Sequence, residues 1–509
     1  MHAQRGSRQA GHGSRWRDAQ QRRRRRWSRR GVATLAIAAA LTALGVLGLL
    51  RRQPAAQPPV PAPAAEIAAP APVDSLEAAP RTKVAAPAPV DSLEAAPRIE
   101  VTAPTPVDSL ETAPRILFGR PPVTESTLRL ATTTNEFGAE RFVETLPILR
   151  GRATQIETLR VHYTLDTELT RSAFEILRDG KVALGHVILL DPDSGRVLTY
   201  ASTDAVQFPP NKLYPAASLV KVITAAAALD VDPGLAGLPC RYSGSPYALT
   251  PRSIDPPRIG HEISLRKALA SSNNQCFAQL AVHAVGQEPL IDAISRFGWL
   301  SQPAPEHPAG KVDAGEDRFD LGQLGCGLAG SRITPLHAAQ LAAVLARGEL
   351  VAPHWIEGVY DGAGRELLLP ASAVPRQVMT RELTDELRAM LIDTTLQGTA
   401  RRAFRTRNGA PLLGPVRVAG KTGSLSGTDP KGRYEWFVGV APADEPEVAI
   451  AVLLVQNAKW WRTASQIAAE VLEDVFCEGH RCRPELAARW LRATTETAAL
   501  EGAEGRALN

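Results

Sequence analysis

A long Pro- and Ala-rich segment limits how much of this chain can fold into a packed core. The unit Pro-Val-Asp-Ser-Leu-Glu occurs three times, beginning at Pro72, Pro89 and Pro106. Each unit offers only one Val and one Leu for burial, and its prolines remove backbone hydrogen-bond donors. The entropy of ordering such a segment should therefore exceed what packing returns. The sequence predicts a disordered Pro/Ala-rich linker over residues 51–117.

An apolar run stands before this linker. Residues 32–50 contain no charged side chain, and as a helix they would extend about 28 Å, close to the hydrocarbon thickness of a bilayer. Arginines are concentrated before the run, and only Arg51 and Arg52 follow it directly. The positive-inside rule then predicts a cytoplasmic Arg-rich tail over residues 1–31 and a single transmembrane helix over residues 32–50. A cleaved signal peptide is the alternative.

Charge is distributed unevenly along the chain. Residues 1–52 hold 13 arginines and one acid, Asp18, for a net charge of +12, whereas the remainder holds 45 basic and 52 acidic residues, for −7. The globular part therefore has no basic excess, and nucleic acid is not expected as a partner. Contact of the tail with RNA or anionic lipid is the alternative interpretation.

Apolar runs of strand length lie at both ends of the remaining sequence. Residues 186–190 and 196–201 flank a Pro/Asp/Gly turn and predict a hairpin. Three later runs, residues 416–420, 434–440 and 448–455, predict further strands. Helical periodicity dominates between the two groups, as in residues 223–229, 265–285 and 334–345. The sequence thus predicts an α+β fold: a five-stranded antiparallel sheet flanked by helices, with an inserted, mostly helical subdomain.

Three short strings supply the groups that acyl transfer requires: Ser218-Leu-Val-Lys221, Ser271-Ser-Asn273 and Lys421-Thr-Gly423. Lys221 follows Ser218 by one helical turn, so both lie on the same helix face. The apolar residues after Lys221 should bury it, and burial lowers the pKa of a lysine. Ser218 is therefore the candidate nucleophile and Lys221 the candidate general base. An ordinary helix-capping serine beside a solvated lysine is the alternative.

The third string predicts a substrate-binding strand. Lys421 would act as a proton donor or electrostatic anchor, and Gly423, without a side chain, would let a substrate backbone lie along the strand. The hydroxyls of Thr422 and Ser424 could bind a peptide's terminal carboxylate. A surface turn is the alternative, although apolar residues precede the string.

In this order the strings resemble the three motifs of the penicillin-binding protein and serine β-lactamase superfamily. The resemblance covers about residues 161–456 and includes these flanking segments: 164–166, 190–195, 214–218, 327–330, 334–336 and 436–439. It implies a β-lactamase/transpeptidase-like fold. It also implies that Ser271 relays the proton to the leaving amine, that Asn273 holds the substrate amide and steadies Lys221, and that the backbone amides of Ser218 and Ser424 form an oxyanion hole. A second frame, Ser272-Asn-Asn274, or a plain helix cap, stays open for the middle motif.

The resemblance further implies a membrane-anchored peptidoglycan D,D-transpeptidase whose serine is also acylated by β-lactam antibiotics. Residues 161–480 would form the transpeptidase domain, after a short junction segment over residues 118–160. Residues 481–509 would form a C-terminal helix and disordered tail. So short a segment before residue 161 predicts a class B-like protein without a glycosyltransferase domain. We expect a single-pass protein of the bacterial cytoplasmic (inner) membrane with its catalytic domain in the periplasm.

Peptidoglycan stem peptides, β-lactams, the membrane and a cell-wall synthesis complex are the expected partners, and no cofactor is expected. A D,D-carboxypeptidase or endopeptidase of the same superfamily, which would use water instead of an amine, is one alternative. A β-lactam sensor or a non-catalytic wall scaffold is the other.

Five cysteines allow several arrangements. Cys477 and Cys482 are close enough in sequence to pair, whereas Cys240, Cys276 and Cys326 are expected to be buried as small apolar groups. His480 lies between Cys477 and Cys482, but the nearby sequence offers no fourth ligand, so we expect no metal site there.

Overall fold

The computed structural model describes residues 132–134, 140–149, 156–367, 373–456, 462–479 and 481–491. None of the helices within these residues is both long enough and apolar enough to cross a membrane. The predicted transmembrane helix, cytoplasmic tail and linker lie outside the described residues, as does most of the C-terminal tail.

Nine α-helices are described in these parts of the chain: α1 Thr167–Asp179, α2 Val220–Val231, α3 Leu265–Ser271, α4 Asn274–Leu280, α5 Gln287–Arg296, α6 Arg318–Cys326, α7 Pro335–Arg347, α8 Arg381–Leu396 and α9 Ala464–Phe476. Short 3₁₀ segments cover Ala217–Leu219, Pro233–Ala236 and Pro484–Ala487, and one π-helical turn covers Ala281–Val285.

The strands described in the same parts of the chain are β1 Thr132–Thr134, β2 Glu140–Leu149, β3 Ile156–Tyr163, β4 Leu184–Leu190, β5 Val197–Ser202, β6 Tyr214–Pro215, β7 Pro239–Tyr242, β8 His261–Ser264, β9 Lys311–Val312, β10 Ser331–Ile333, β11 Glu349–Leu350, β12 Ile356–Tyr360, β13 Glu366–Leu367, β14 Arg376–Gln377, β15 Ala419–Thr428, β16 Lys431–Ala441, β17 Val448–Gln456, β18 Cys477–Glu478 and β19 Arg481–Cys482.

The central sheet has five antiparallel strands in the order β15-β16-β17-β4-β5. Strands β4, β5 and β17 are buried along almost their whole length. Continuous apolar runs of this kind occur where helices cover both faces of a sheet. Helices α1 and α9 pack against each other, with the Ser172 hydroxyl donating to Asp474, and α7 contacts β16 and β17. The predicted α+β class and five-stranded antiparallel sheet are confirmed.

The helical part of the chain, α2 to α6, lies between the two groups of strands in sequence, as predicted. Its central helix, α2, is buried from Val220 to Leu229. Because a helix that is apolar around its whole circumference belongs in the interior, α2 has no solvent face to present. Any polar side chain on it, such as Lys221, is therefore forced out of water.

A second sheet lies in the segment predicted as a junction. Its antiparallel order is β1-β2-β3-β12-β13, so β3 pairs with β12, which comes about 200 residues later in the chain. Phe142 and Tyr163 meet edge to face across it, with ring centroids 4.8 Å apart. Strands β1, β2 and β3 thus belong to the same sheet as β12 and β13.

Two disulfides are present in the described residues. Cys477 and Cys482, whose pairing the sequence left open, are bonded across β18 and β19. Cys240 and Cys276 also pair, with their Cα atoms 5.7 Å apart. The expectation that these two are separate apolar groups is wrong, because β7 and α4 are adjacent in space although 36 residues separate the cysteines. Cys326 is a free, buried thiol.

Candidate active site

Ser218 lies in the 3₁₀ turn that leads into α2, and this turn is held from several sides. The Trp436 indole donates to the carbonyl of Pro215 at 2.8 Å. Ala217 has a φ of +50°, a left-handed conformation that costs a residue with a Cβ atom about 1 kcal/mol. Gly327 approaches so closely that a Cβ there would lie 2.0 Å from the Ala217 carbonyl oxygen. Strain of this kind persists only where surrounding contacts fix the backbone.

Lys221 is fully buried and contacts Ser218 directly. Its Nζ lies 2.8 Å from Ser218 Oγ, 2.8 Å from Asn274 Oδ1 and 2.5 Å from the carbonyl oxygen of Cys326. All three are uncharged oxygens. A neutral amine can donate two hydrogens, to Asn274 and Cys326, and its lone pair then faces the Ser218 hydroxyl. The arrangement can therefore accept a proton from that hydroxyl.

Burial changes the proton affinity of both buried lysines. Desolvation lowers the pKa of Lys221 to about 8. The pKa of Lys421 lies well below its ordinary value, first because burial removes the ammonium from water and second because of the nearby charge on Lys221. Both lysines can thus exist as neutral amines at a much lower pH than a solvated lysine.

The middle motif uses the second frame, Ser272-Asn-Asn274. Lys421 Nζ donates to Ser272 Oγ at 2.9 Å, and Lys221 Nζ donates to Asn274 Oδ1. Ser271 still belongs to α3, where its hydroxyl donates to the Lys267 carbonyl one turn earlier at 2.7 Å. Ser272 leaves the helix in a left-handed conformation, with a φ of +57°. This reversal brings the Ser272 hydroxyl to Lys421.

Asn273 has a local structural role instead. Its Oδ1 accepts from the Cys276 backbone N–H at 3.0 Å, which makes it the N-cap of α4. The preference for Ser271 and Asn273 over the neighbouring frame is therefore corrected: Ser272 and Asn274 form the hydrogen bonds to Lys421 and Lys221.

Lys421, Thr422 and Gly423 lie within β15, the edge strand of the central sheet. Besides Ser272, Lys421 Nζ also donates to the Thr422 carbonyl at 2.7 Å. A Cβ on Gly423 would lie 3.4 Å from the Ala216 carbonyl oxygen. The strand therefore runs directly beside the Ser218 turn. Among the strands that the structure describes, none pairs with the outer edge of β15, and such an edge can accept an extended peptide.

Ser424 is an exposed residue on the same strand. Its hydroxyl accepts from Arg433 Nε at 2.5 Å. Side chains of β15 alternate between the two faces, so Ser424 and Thr422 share one face and Lys421 and Gly423 share the other. The hydrogen bonds of the site thus form two groups. Lys221 bonds to Ser218 and Asn274, and Lys421 bonds to Ser272.

Three further contacts were not predicted from the sequence. The Cys326 carbonyl accepts from Lys221, the Tyr247 carbonyl accepts from Asn274 Nδ2 at 2.7 Å, and the Thr399 hydroxyl lies 2.6 Å from that of Thr422. Two of these are backbone carbonyls, which leave no side-chain signal in a sequence. Thr399 follows a glycine at the end of a helical pattern, which indicates a helix end but not a contact.

The family model for the penicillin binding protein transpeptidase domain matches residues 185–476, more than half of the chain. The peptidoglycan D,D-transpeptidase PbpA of Mycolicibacterium smegmatis is 27% identical over 343 residues, which cover 58% of this chain and 67% of that protein. The peptidoglycan D,D-transpeptidase MrdA of Haemophilus influenzae is 26% identical over 421 residues, which cover 66% of this chain and 62% of that protein.

Solved structures share the fold. One is penicillin-binding protein A from M. tuberculosis as a penicillin G acyl-enzyme complex. It matches with a TM-score of 0.50 and 23% identity, over 62% of this chain and 80% of that one. The D,D-transpeptidase domain of a peptidoglycan glycosyltransferase from Eggerthella lenta matches with a TM-score of 0.52 and 18% identity. The match covers 67% of this chain and 94% of that one.

Proposed function

The chain belongs to the penicillin-binding protein transpeptidase family, as the motifs suggested, and we propose that it is a peptidoglycan D,D-transpeptidase in which Ser218 forms the acyl-enzyme. In this reaction Ser218 attacks the carbonyl of the penultimate D-Ala of a stem peptide, and the terminal D-Ala leaves. An amine of a neighbouring stem then attacks the ester, which forms the cross-link and frees the serine.

One observation carries the assignment of the base. Lys221 Nζ is held by two fixed acceptors and reaches Ser218 Oγ at 2.8 Å, while burial lowers its pKa to about 8. A general base must first lie within hydrogen-bond reach and then have a pKa near the working pH. Lys221 meets both conditions, so it takes the proton when Ser218 attacks.

The leaving amine needs a proton as the scissile C–N bond breaks. The Ser272 hydroxyl can donate it, because this hydroxyl already accepts a hydrogen bond from Lys421 Nζ at 2.9 Å. The Lys421 ammonium then returns a proton to Ser272 across this hydrogen bond, so that Lys221 ends the step with the Ser218 proton and Lys421 ends it one proton short. Attack by the acceptor amine runs these transfers in reverse and restores both lysines. In this scheme Asn274 fixes the Lys221 amine through Oδ1, the role first expected of Asn273.

The edge of β15 binds the substrate backbone beside Ser218. Thr422 and Ser424 present hydroxyls to the terminal carboxylate, with Lys421 in the same strand. The backbone N–H groups of Ser218 and Ser424 act as the oxyanion hole, and removing one donor from such a hole typically costs about 3 kcal/mol of transition-state stabilisation. A β-lactam presents a carboxylate and a strained amide to the same groups, so it should acylate Ser218.

A donor and acceptor assay tests the reaction. The full-length protein in detergent is incubated with a stem pentapeptide ending in D-Ala-D-Ala and with a D-amino acid as acceptor. We expect exchange of the terminal residue, which Ser218→Ala abolishes. Release of D-Ala without exchange would identify a carboxypeptidase instead, and labelling by penicillin without either product would favour a sensor or scaffold.

We also propose that the chain is anchored by residues 32–50, with the catalytic domain on the periplasmic side of the cytoplasmic membrane and able to join a wall-synthesis complex. The charge difference between residues 1–31 and the rest of the chain supports this orientation. Full-length protein should sediment with membranes and resist carbonate extraction, whereas a chain beginning at residue 53 and given a cleavable export signal should be released.

A further inference from the structure

Thr399 lies outside the three motifs, yet its hydroxyl is 2.6 Å from the Thr422 hydroxyl of the third one. It follows α8 by three residues. Thr399 is exposed, and Thr422 is only partly buried. The two hydroxyls therefore form a pair at the edge of β15, where a bound ligand can reach them.

The backbone of Thr399 is fixed on both sides. Its N–H donates to the Ala270 carbonyl at 3.1 Å, and the next N–H, of Ala400, donates to the Thr394 carbonyl at 3.0 Å. A Cβ on Gly398 would lie 2.3 Å from the same Ala270 oxygen, so only glycine allows this approach. The segment thus connects the end of α3, two residues before Ser272, with β15.

The direction of the hydrogen bond determines what Thr422 can offer. A hydroxyl has one hydrogen and two lone pairs. If Thr399 donates to Thr422 Oγ1, the hydrogen of Thr422 is left for an acceptor such as a carboxylate oxygen. Hydrogen bonds in such a chain polarise one another, and bonds to charged acceptors are the strong ones.

We propose that Thr399 is a positioning residue that directs the Thr422 hydroxyl hydrogen at the terminal carboxylate of substrates and β-lactams. This proposal rests on the proposed function, because it assumes that ligands bind along β15. Thr399 thereby contributes to the selection of ligands with a free carboxylate.

Acylation kinetics test the role of Thr399. The second-order rate constants of the full-length protein are measured with benzylpenicillin and with its methyl ester, which lacks the anionic carboxylate. Thr399→Val should slow benzylpenicillin about tenfold, the size expected for one hydrogen bond to a charged group, and should leave the ester almost unchanged. Thr399→Ser should restore the rate, because it restores the hydroxyl.

A double-mutant cycle with Thr422→Val separates positioning from a general structural effect. If Thr399 acts through Thr422, Thr399→Val adds no further loss in the Thr422→Val background. Additive losses, or equal slowing of penicillin and ester, would overturn the proposal.

Thr395→Val is the matched control, because it removes a hydroxyl from the end of α8 that donates to the Val418 carbonyl and not to Thr422. It should lower the Tm without changing the ratio of the two rates. If wild-type protein is not acylated at all, the proposed function fails. If it is acylated and Thr399→Val behaves as wild type, only the role of Thr399 fails.

Discussion

At the residue scale the site depends on a lysine that burial makes a base. The oxygens within hydrogen-bond reach of Lys221 Nζ are all uncharged, so they offset only part of the cost of burying its ammonium form. An arginine at this position would stay charged despite the same burial, because arginine does not give up its proton in proteins. Lys221→Arg should therefore abolish acylation while keeping the positive charge.

The pH dependence of acylation follows from the lowered pKa of Lys221, which is about 8. Only the neutral amine can accept the Ser218 proton, so the rate should rise as the pH increases through 8 and fall about tenfold for each pH unit below it. Stopped-flow measurement of benzylpenicillin acylation on both sides of pH 8 checks this. A rate independent of pH across that range would contradict the role of Lys221.

Neighbouring serines provide a second test at the same scale. Ser272 Oγ accepts from Lys421, whereas Ser271 Oγ donates to a carbonyl of its own helix. Ser272→Ala should slow acylation about a hundredfold, a typical loss for a group that relays protons. Ser271→Ala should remain close to wild type, and the opposite order of the two variants would restore the frame first predicted.

At the element scale, the Cys240–Cys276 disulfide joins α4 to β7, and hydrogen bonds join α4 to the segment that follows β7. Gln275 Nε2 donates to the carbonyls of Ser243 and Ser245, both at 2.8 Å. Asn274 Nδ2 donates to the Tyr247 carbonyl, while its Oδ1 accepts from Lys221. The helix that supplies Asn274 is thus held by one covalent bond and several hydrogen bonds.

Removing the Cys240–Cys276 disulfide should therefore affect catalysis. With both cysteines changed to alanine, we expect a loss of about 4 kcal/mol in unfolding free energy, the entropic estimate for a loop of this length. Acylation should also slow several-fold, because Asn274 is less firmly placed. Urea unfolding and penicillin acylation measure the two effects.

The second disulfide serves as the control. Cys477 and Cys482 close a short loop after α9 and lie outside the hydrogen-bonded site. Their replacement by alanine should cost roughly 2 kcal/mol and leave the acylation rate unchanged. Equal slowing in both double variants would show that the Cys240–Cys276 bond has no special effect on the site.

Local patterns predicted elements better than contacts between them. The hairpin of β4 and β5, the strands β16 and β17 and the helices α2 and α7 were predicted from apolar runs and turn residues. The frame of the middle motif was missed by one residue, because it depends on the left-handed φ of Ser272 at the end of α3. Sequence periodicity does not reveal that conformation for a residue other than glycine.

At the scale of the whole molecule, the order of the motifs was enough to predict the family, and the apolar runs were enough to predict the α+β class and its five-stranded sheet. Two long-range features were not predicted. The pairing of Cys240 with Cys276 and the pairing of β3 with β12 both join segments that are distant in sequence. Neither segment alone indicates its partner.

The second sheet predicts how truncation at the N-terminal side of the domain affects stability. Val161 is fully buried and Tyr163 nearly so, with Phe142 of β2 against the Tyr163 ring. A chain beginning at residue 161 loses these neighbours and should be about 3 kcal/mol less stable than one beginning at residue 118, from exposure of apolar side chains alone. Thermal unfolding of the two truncated proteins compares them, and equal Tm values would show that residues 118–160 add no stability.

The central claim is that the segments around residues 218, 272 and 421 assemble one acylating site. Mass spectrometry of the intact protein after incubation with benzylpenicillin, followed by peptide mapping, tests it most directly. The account predicts one adduct per chain, on the peptide containing Ser218, and none in Ser218→Ala or Lys221→Arg. An adduct on another residue, or an unmodified wild-type protein, would contradict it.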